Sequence, residues 1–223
     1  MSIDRQKTFL SIDFGVASHR KEVHTPVEDE GQIWEQFKSG NQSALSYIYR
    51  NYSNLLFNYG CQFTTDRALV KDCLQDLFLE LIKKQKRLSS TTSIRFYLMK
   101  SFRNKVVKSL KDQQKRQLTE TEGEKQESLF RVSLSPEAKM INSQMDNDQQ
   151  RVIEEKMNEL PPLQREALLL YFYEGLKYNQ IAELLGIQVK STRALIYRSL
   201  QSLGGLLSPL KNTILLLSVL FWF

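Results

Sequence analysis

Between residues 69 and 82 apolar side chains return every fourth position, as Leu69/Val70, Cys73/Leu74, Leu77/Phe78 and Leu81/Ile82. That period wraps one continuous stripe along an α-helix and offers no alternation for a strand. Thr65 or Asp66 is placed to cap the helix at its start. Upstream, from Ile33, the same three- and four-residue steps run through Trp34, Phe37, Leu45, Ile48, Tyr49, Tyr52, Leu55, Leu56 and Tyr59. Gly40-Asn41-Gln42-Ser43 interrupts them, which predicts two helices joined by a turn. Nine glycines and five prolines in 223 residues, against abundant Leu, Lys, Gln and Glu, extend the helical preference to the whole chain. That length allows one large or two small domains.

Several function classes are excluded by what is scarce. Two cysteines, Cys61 and Cys73, cannot build a disulfide framework and are poor supply for a structural zinc. The two histidines, His19 and His24, fall in a polar, aperiodic stretch over residues 1–30, read as a flexible arm, so an imidazole base in a folded core is not expected. No Gly-rich phosphate loop, metal-ligand cluster or nucleophile with a partnered base is visible. The chain is therefore expected to be no enzyme and to carry no cofactor and no metal. Met1-Ser2-Ile3-Asp4-Arg5 lacks the apolar run of a signal peptide, which leaves the cytoplasm as the expected compartment.

Charge is local. The formal net charge is +6, yet residues 83–116 alone hold twelve Lys or Arg against one Asp. After the loop Ser89-Ser90-Thr91-Thr92-Ser93, a helix from Ile94 to about Leu110 interleaves these bases with Phe96, Tyr97 and Phe102. Basic groups neutralise phosphates and aromatic faces stack on unpaired bases. A solvated face with aromatics in the core is the alternative, and the density of charge favours nucleic acid. Tyr97 and Phe102 themselves, at helical spacing, are assigned to the core.

Residues 113–150 are rich in Gln, Glu, Ser and Asp, with a short apolar patch at Leu129-Phe130-Val132-Leu134, and read as a polar linker. Periodicity resumes at Val152, Met157 and Leu160, and Pro161-Pro162 supplies a stop and a first-turn restart. A second small domain, 151–205, is expected there. Within it Tyr178-Asn179-Gln180-Ile181-Ala182-Glu183-Leu184-Leu185-Gly186-Ile187 precedes Lys190-Ser191-Thr192-Arg193-Ala194-Leu195-Ile196-Tyr197-Arg198. Ile181, Leu185 and Ile187 are expected in the core, Ala182 admits a crossing helix, and Gly186 suits a left-handed helix end. The spacing fits a helix-turn-helix whose second helix would bring Lys190, Ser191 and Arg193 to DNA. A plain helical hairpin with a glycine cap fits the pattern equally, and Arg193 and Arg198 tilt it toward DNA.

Two blocks carry a family resemblance. Asp72-Cys73-Leu74-Gln75-Asp76-Leu77-Phe78-Leu79-Glu80-Leu81 resembles the core-polymerase-binding helix of the extracytoplasmic-function sigma factors, and Phe96-Tyr97-Leu98-Met99-Lys100-Ser101-Phe102-Arg103-Asn104 resembles their promoter-melting helix. Leu160-Pro161, Arg165, Gly175, Ile181-Ala182, Leu185-Gly186 and Tyr197-Arg198 are similar to the second domain of that family, and the form from Ser191 to Arg198 is most similar to Bacteroidota versions. The matching blocks cover roughly residues 30–112 and 150–205. Three positions depart from the usual pattern: Tyr97 for Trp, Gln188 for a Ser cap, and Thr192 for a valine-like residue. None removes a group the mechanism requires.

The resemblance implies an all-α chain of two small helical domains on a flexible linker. Residues 31–112 would bind core RNA polymerase and the promoter's minus 10 element, and residues 151–205 the minus 35 element. On the helix from Asp66 to Lys84, Asp72, Gln75, Asp76 and Leu79 fall opposite the core stripe, and an exposed Leu among carboxylates suits a protein partner. By resemblance that partner is the beta-prime clamp helices of core polymerase, and the beta flap is a further implied contact. The implied minus 10 contacts are Arg103, Lys105, Lys108 and Lys111 on phosphates and Asn104 near an unpaired base. The implied minus 35 contacts are Lys190, Ser191, Arg193 and Arg198. Promoter DNA and an anti-sigma factor complete the implied partners. The rival reading is a two-domain helix-turn-helix regulator that binds duplex DNA without polymerase. A hydrophobic tail, 206–223, ends in ten residues with Ser218 as the one polar member. A helix needs about 20 apolar residues to span a bilayer, and Gly204-Gly205, Pro209 and Lys211 interrupt any backward extension, so the tail is expected to pack on protein rather than membrane.

Overall fold

The computed structural model describes residues 29–118 and 147–220, with side chains for 29–116 and 151–205. The helices below residue 118 and those above 147 belong to two separate compact units. Among the described residues every element is a helix, so the all-α expectation holds. The bulk of the arm, the linker and the side chains of the tail lie outside the described residues.

The first unit opens with α1, Glu30–Lys38, whose N-cap Asp29 accepts from Gly31 N at 3.0 Å. Residues 29 and 30, expected at the edge of an arm, thus already start a helix. Asn41 caps α2, Gln42–Gly60, and Asp66, one of the two expected caps, accepts from Ala68 N and Leu69 N at 3.0 Å to start α3, Arg67–Lys84. A 3-10 turn, Gln85–Arg87, and the Ser89–Ser93 loop lead to α4, Ile94–Leu118. α4 runs past the expected end near Leu110 because Lys111 to Leu118 consists mostly of Lys, Gln and Arg, good helix formers that need no core to stay helical.

The core of this unit is Trp34, Phe37, Ile48, Leu56, Val70, Leu77, Leu98, Phe102 and Val106, each at most 2% exposed. Burying such a side chain contributes about 1.5–3 kcal/mol. The α3 stripe divides: Val70, Cys73, Leu77, Phe78 and Leu81 are buried, Leu74 is half-buried, and Ile82, expected on the apolar face, is 43% exposed. An apolar pair on every turn makes a stripe wider than the neighbouring helices cover. Phe102 is core as expected, whereas Tyr97 is half-buried and tilts against Trp34 with centroids 4.8 Å apart. Trp34 Nε1 also donates to Ser89 O at 2.8 Å, which ties the loop before α4 to α1.

In the second unit, α5, Asn147–Asn158, buries Ile153 and Met157. Pro162 sits in the first turn of α6, Pro162–Leu168, as expected. α6 then widens into a π-helical turn, Leu169–Tyr173, closed by Glu174 N donating to Leu169 O at 3.0 Å, which the sequence pattern does not announce. α7, Tyr178–Leu185, ends at Gly186 in the left-handed region, φ 70° and ψ 33°, before α8, Val189–Leu220. Ile181, Ala182 and Leu184 are the buried residues of α7, while Leu185 and Ile187, expected in the core, are half-buried. With only eight residues, α7 turns the Ile181–Leu184 edge inward, one position away from the expected face. α8 runs without a break through Gly204-Gly205 and Pro209. A glycine costs only about 1 kcal/mol in a helix and an interior proline about 3 kcal/mol, sums that a 32-residue helix can absorb. Among the described residues no helix is long and apolar enough to cross a membrane.

Candidate nucleic-acid and partner interfaces

On α3 the residues Asp72, Gln75, Asp76 and Leu79 are all exposed and, at steps of three, one and three, share the face turned from the core. Leu79 is 45% exposed. Beside it runs a groove of about 620 Å³ in which Tyr49 and Phe57 of α2 face Leu74, Phe78, Leu79 and Ile82 of α3. Tyr49, 53% exposed, stands edge-on to Phe78 at 4.9 Å between centroids. By periodicity Tyr49 and Ile82 fall within the helix stripes, which conceals this apolar flank. The excess width of the α3 stripe was its only trace.

α4 does not gather all five of its expected contact residues. Asn104, Lys108 and Lys111 are exposed, and with Lys100 and Lys115 they follow at steps of four, four, three and four along one face. Arg103 instead leans over the link between α2 and α3, its guanidinium 6.0 Å from the Phe63 ring centroid. Lys105 Nζ lies 2.8 Å from Glu80 Oε1 of α3. The Lys105 hydrogen bond lowers the Glu80 pKa below the usual carboxylate range, and the charges of Lys84 and Lys108 add to it. A cleft of about 350 Å³ between α3 and α4 is lined by Glu80, Lys84, Tyr97, Ser101, Asn104, Lys105 and Lys108 among others. Lys100 and Lys115 were missing from the predicted set, though they continue its spacing.

On α8, Lys190, Ser191, Arg193 and Arg198 are exposed, opposite the buried Leu195, Ile196 and Ser199. Arg193 turns over the Tyr178 ring at 5.6 Å, and Tyr178 stacks on Tyr171 with centroids 5.0 Å apart and hydroxyls at 3.3 Å. That hydroxyl contact, ahead of burial, raises the Tyr178 pKa. Arg193 is thereby aimed by α7, the first helix of the pair. Arg198 Nε donates to Ala194 O at 3.3 Å. Thr192 is fully buried and its Oγ1 donates to the backbone carbonyl of Gln188 at 3.1 Å, so the hydroxyl at this unusual position is satisfied within the helix start. Tyr197, 53% exposed, with its hydroxyl accepting from Gln201 Nε2 at 3.1 Å, extends the outer face and had no place in the predicted site.

The geometry thus presents an acidic-apolar face on α3, a basic face on α4 and a basic helix start on α8. Comparison with known proteins finds the family described as Sigma-70 region 2 over residues 48–116 and that described as Sigma-70, region 4 over residues 150–203. The chain is 27% identical over 161 residues to the probable RNA polymerase sigma factor RfaY of Xanthomonas campestris, spanning 72% of this chain but only 40% of that protein. To the ECF RNA polymerase sigma factor SigM of Bacillus subtilis it is 24% identical over 159 residues, 71% of this chain and 92% of that one. Among solved structures, the sigma factor RpoE of Bartonella quintana, in complex with the anti-sigma factor NepR, shares the fold with a TM-score of 0.54 and 20% identity. That alignment covers 75% of this chain and 96% of the other.

Proposed function

We propose a division of labour between the two helical units of this chain, which belongs to the sigma-70 family and, within it, to the extracytoplasmic-function class. The chain is an alternative sigma factor that joins core RNA polymerase and directs it to promoters carrying particular minus 10 and minus 35 elements. Residues 31–112 form the core-binding and minus 10 domain, residues 151–205 the minus 35 domain, and residues 113–150 the linker. Polymerase performs the chemistry, so the chain itself contributes binding and positioning and works in the cytoplasm. The Bacteroidota-like form of Ser191 to Arg198 points to a source in that group.

The observation that carries this reading is the α3 face. Leu79 stands exposed among Asp72, Gln75 and Asp76 beside an apolar groove, an arrangement that a DNA-only regulator has no use for. Carboxylates around an apolar centre favour a partner with basic residues around apolar ones, here the beta-prime clamp helices, while the beta flap engages the second unit. Asn104, Lys108 and Lys111 then meet the minus 10 strand, and Lys190, Ser191, Arg193 and Arg198 the minus 35 duplex. An anti-sigma factor is the regulatory partner this class of surface accommodates, and the tail from residue 206 packs on protein. Asp76→Lys combined with Leu79→Arg is expected to abolish co-purification with core polymerase, with the helical circular dichroism unchanged. Retained core binding by the folded double variant would contradict the assignment.

A further inference from the structure

We propose that Glu80 is a restraining residue that keeps Lys105 off nucleic acid until a phosphate displaces it. This rests on reading the α4 face as the nucleic-acid surface and adds a control element within it. Lys105 belongs to the basic run by sequence, but its ammonium is held across the helix pair by the Glu80 carboxylate at 2.8 Å. Glu80 also lies 3.8 Å from Lys84 and shares the α3–α4 cleft with Lys108 and Asn104. Among the residues lining that cleft it is the one acid, placed amid three lysines.

Two features indicate a latch rather than a structural staple. The Glu80 side chain is 51% exposed, and an ion pair so wet contributes little to folding. Lys105 is 21% exposed, so its stem is packed and its head needs only a small movement to leave Glu80 for a phosphate at the cleft mouth. In addition, Glu80 lies one residue beyond Leu79 on α3, the helix proposed to carry the core-binding face, so docking there acts on the element that holds the latch. While closed, it removes one phosphate contact and sets a negative charge against the incoming strand. The free chain then binds single strands more weakly than its count of lysines suggests.

The test measures binding of a fluorescein-labelled oligothymidine by the full-length protein across a salt series, using Glu80→Gln, Lys105→Gln and the double variant. Glu80→Gln is expected to tighten binding about three- to tenfold at low salt and to steepen the log–log salt slope by about 0.7, one phosphate contact on a single strand. In the Lys105→Gln background most of that gain should disappear. A purely structural Glu80 would leave the salt slope where it was. Lys108→Ala with Lys111→Ala serves as the reference for the face itself and should flatten the slope. If that pair flattens the slope while Glu80→Gln changes neither affinity nor slope, the restraint is wrong and the α4 face stands. If neither changes the slope, the face and the restraint are overturned together.

Discussion

At Tyr52 a hydroxyl binds the first unit together. It donates to Glu30 Oε1 at 2.5 Å, and the other oxygen of Glu30 accepts from Ile94 N at 2.9 Å, so a single carboxylate joins α1 to α2 and caps the start of the basic helix. Burial, and then the Glu30 bond, pushes the Tyr52 pKa far above its ordinary value of 10.0. The folded chain therefore holds this proton more tightly than the unfolded chain does. Its contribution to stability is present in full below about pH 10 and is lost as pH rises beyond that, toward the raised folded-state value. Tyr52→Phe is expected to cost about 1 kcal/mol at pH 7 and to lose less further stability than the wild type between about pH 9.5 and 11. Urea titrations at the two ends of that range measure both; equal alkaline losses would mean that Tyr52 ionises freely in the fold. None of this was legible beforehand. Glu30 looked like the end of a polar arm because its partners lie 22 and 64 residues away. The Glu80–Lys105 pair was hidden for the same reason, since helical periodicity reports which face a residue occupies and not what stands opposite.

Helix starts were the most readable elements. Asp66 and the first-turn Pro162 act locally, through bonds to the next few amides or a fixed φ, and Gly186 marks an end by the left-handed turn that glycine tolerates. Interior geometry was less so. The π-helical turn at Leu169–Tyr173 and the inward turn of Leu184 in place of Leu185 are decided by what the helices pack against. The joint of α2, α3 and α4 shows how tight that packing is. A Cβ on Gly60 would lie 2.6 Å from Val70 Cγ1 and 2.9 Å from Phe102 Cε1, both buried and neither free to withdraw. Gly60→Ala is accordingly expected to destabilise the first unit by about 1–3 kcal/mol through overpacking, although alanine is the better helix former. A thermal melt checks it. A stabilised variant would show that the three helices can part at no cost.

For the whole molecule, the sequence carried the two-block order, with acidic-apolar and basic helices in one unit and a glycine-hinged helix pair in the other. These are patterns of spacing and charge that need no tertiary information. What it did not carry is the groove that flanks Leu79, because the exposure of Tyr49 and Ile82 depends on how α2 lies against α3. The proposed roles of the two units all depend on this chain giving core polymerase a choice of promoter. The direct measurement is to incubate core RNA polymerase with genomic DNA, with and without the purified full-length chain, and to sequence the 5′ ends of the transcripts. Discrete new start sites that require the chain and share a minus 10 and a minus 35 block are expected. A chain that binds duplex DNA by itself and adds no start sites to core polymerase would contradict it.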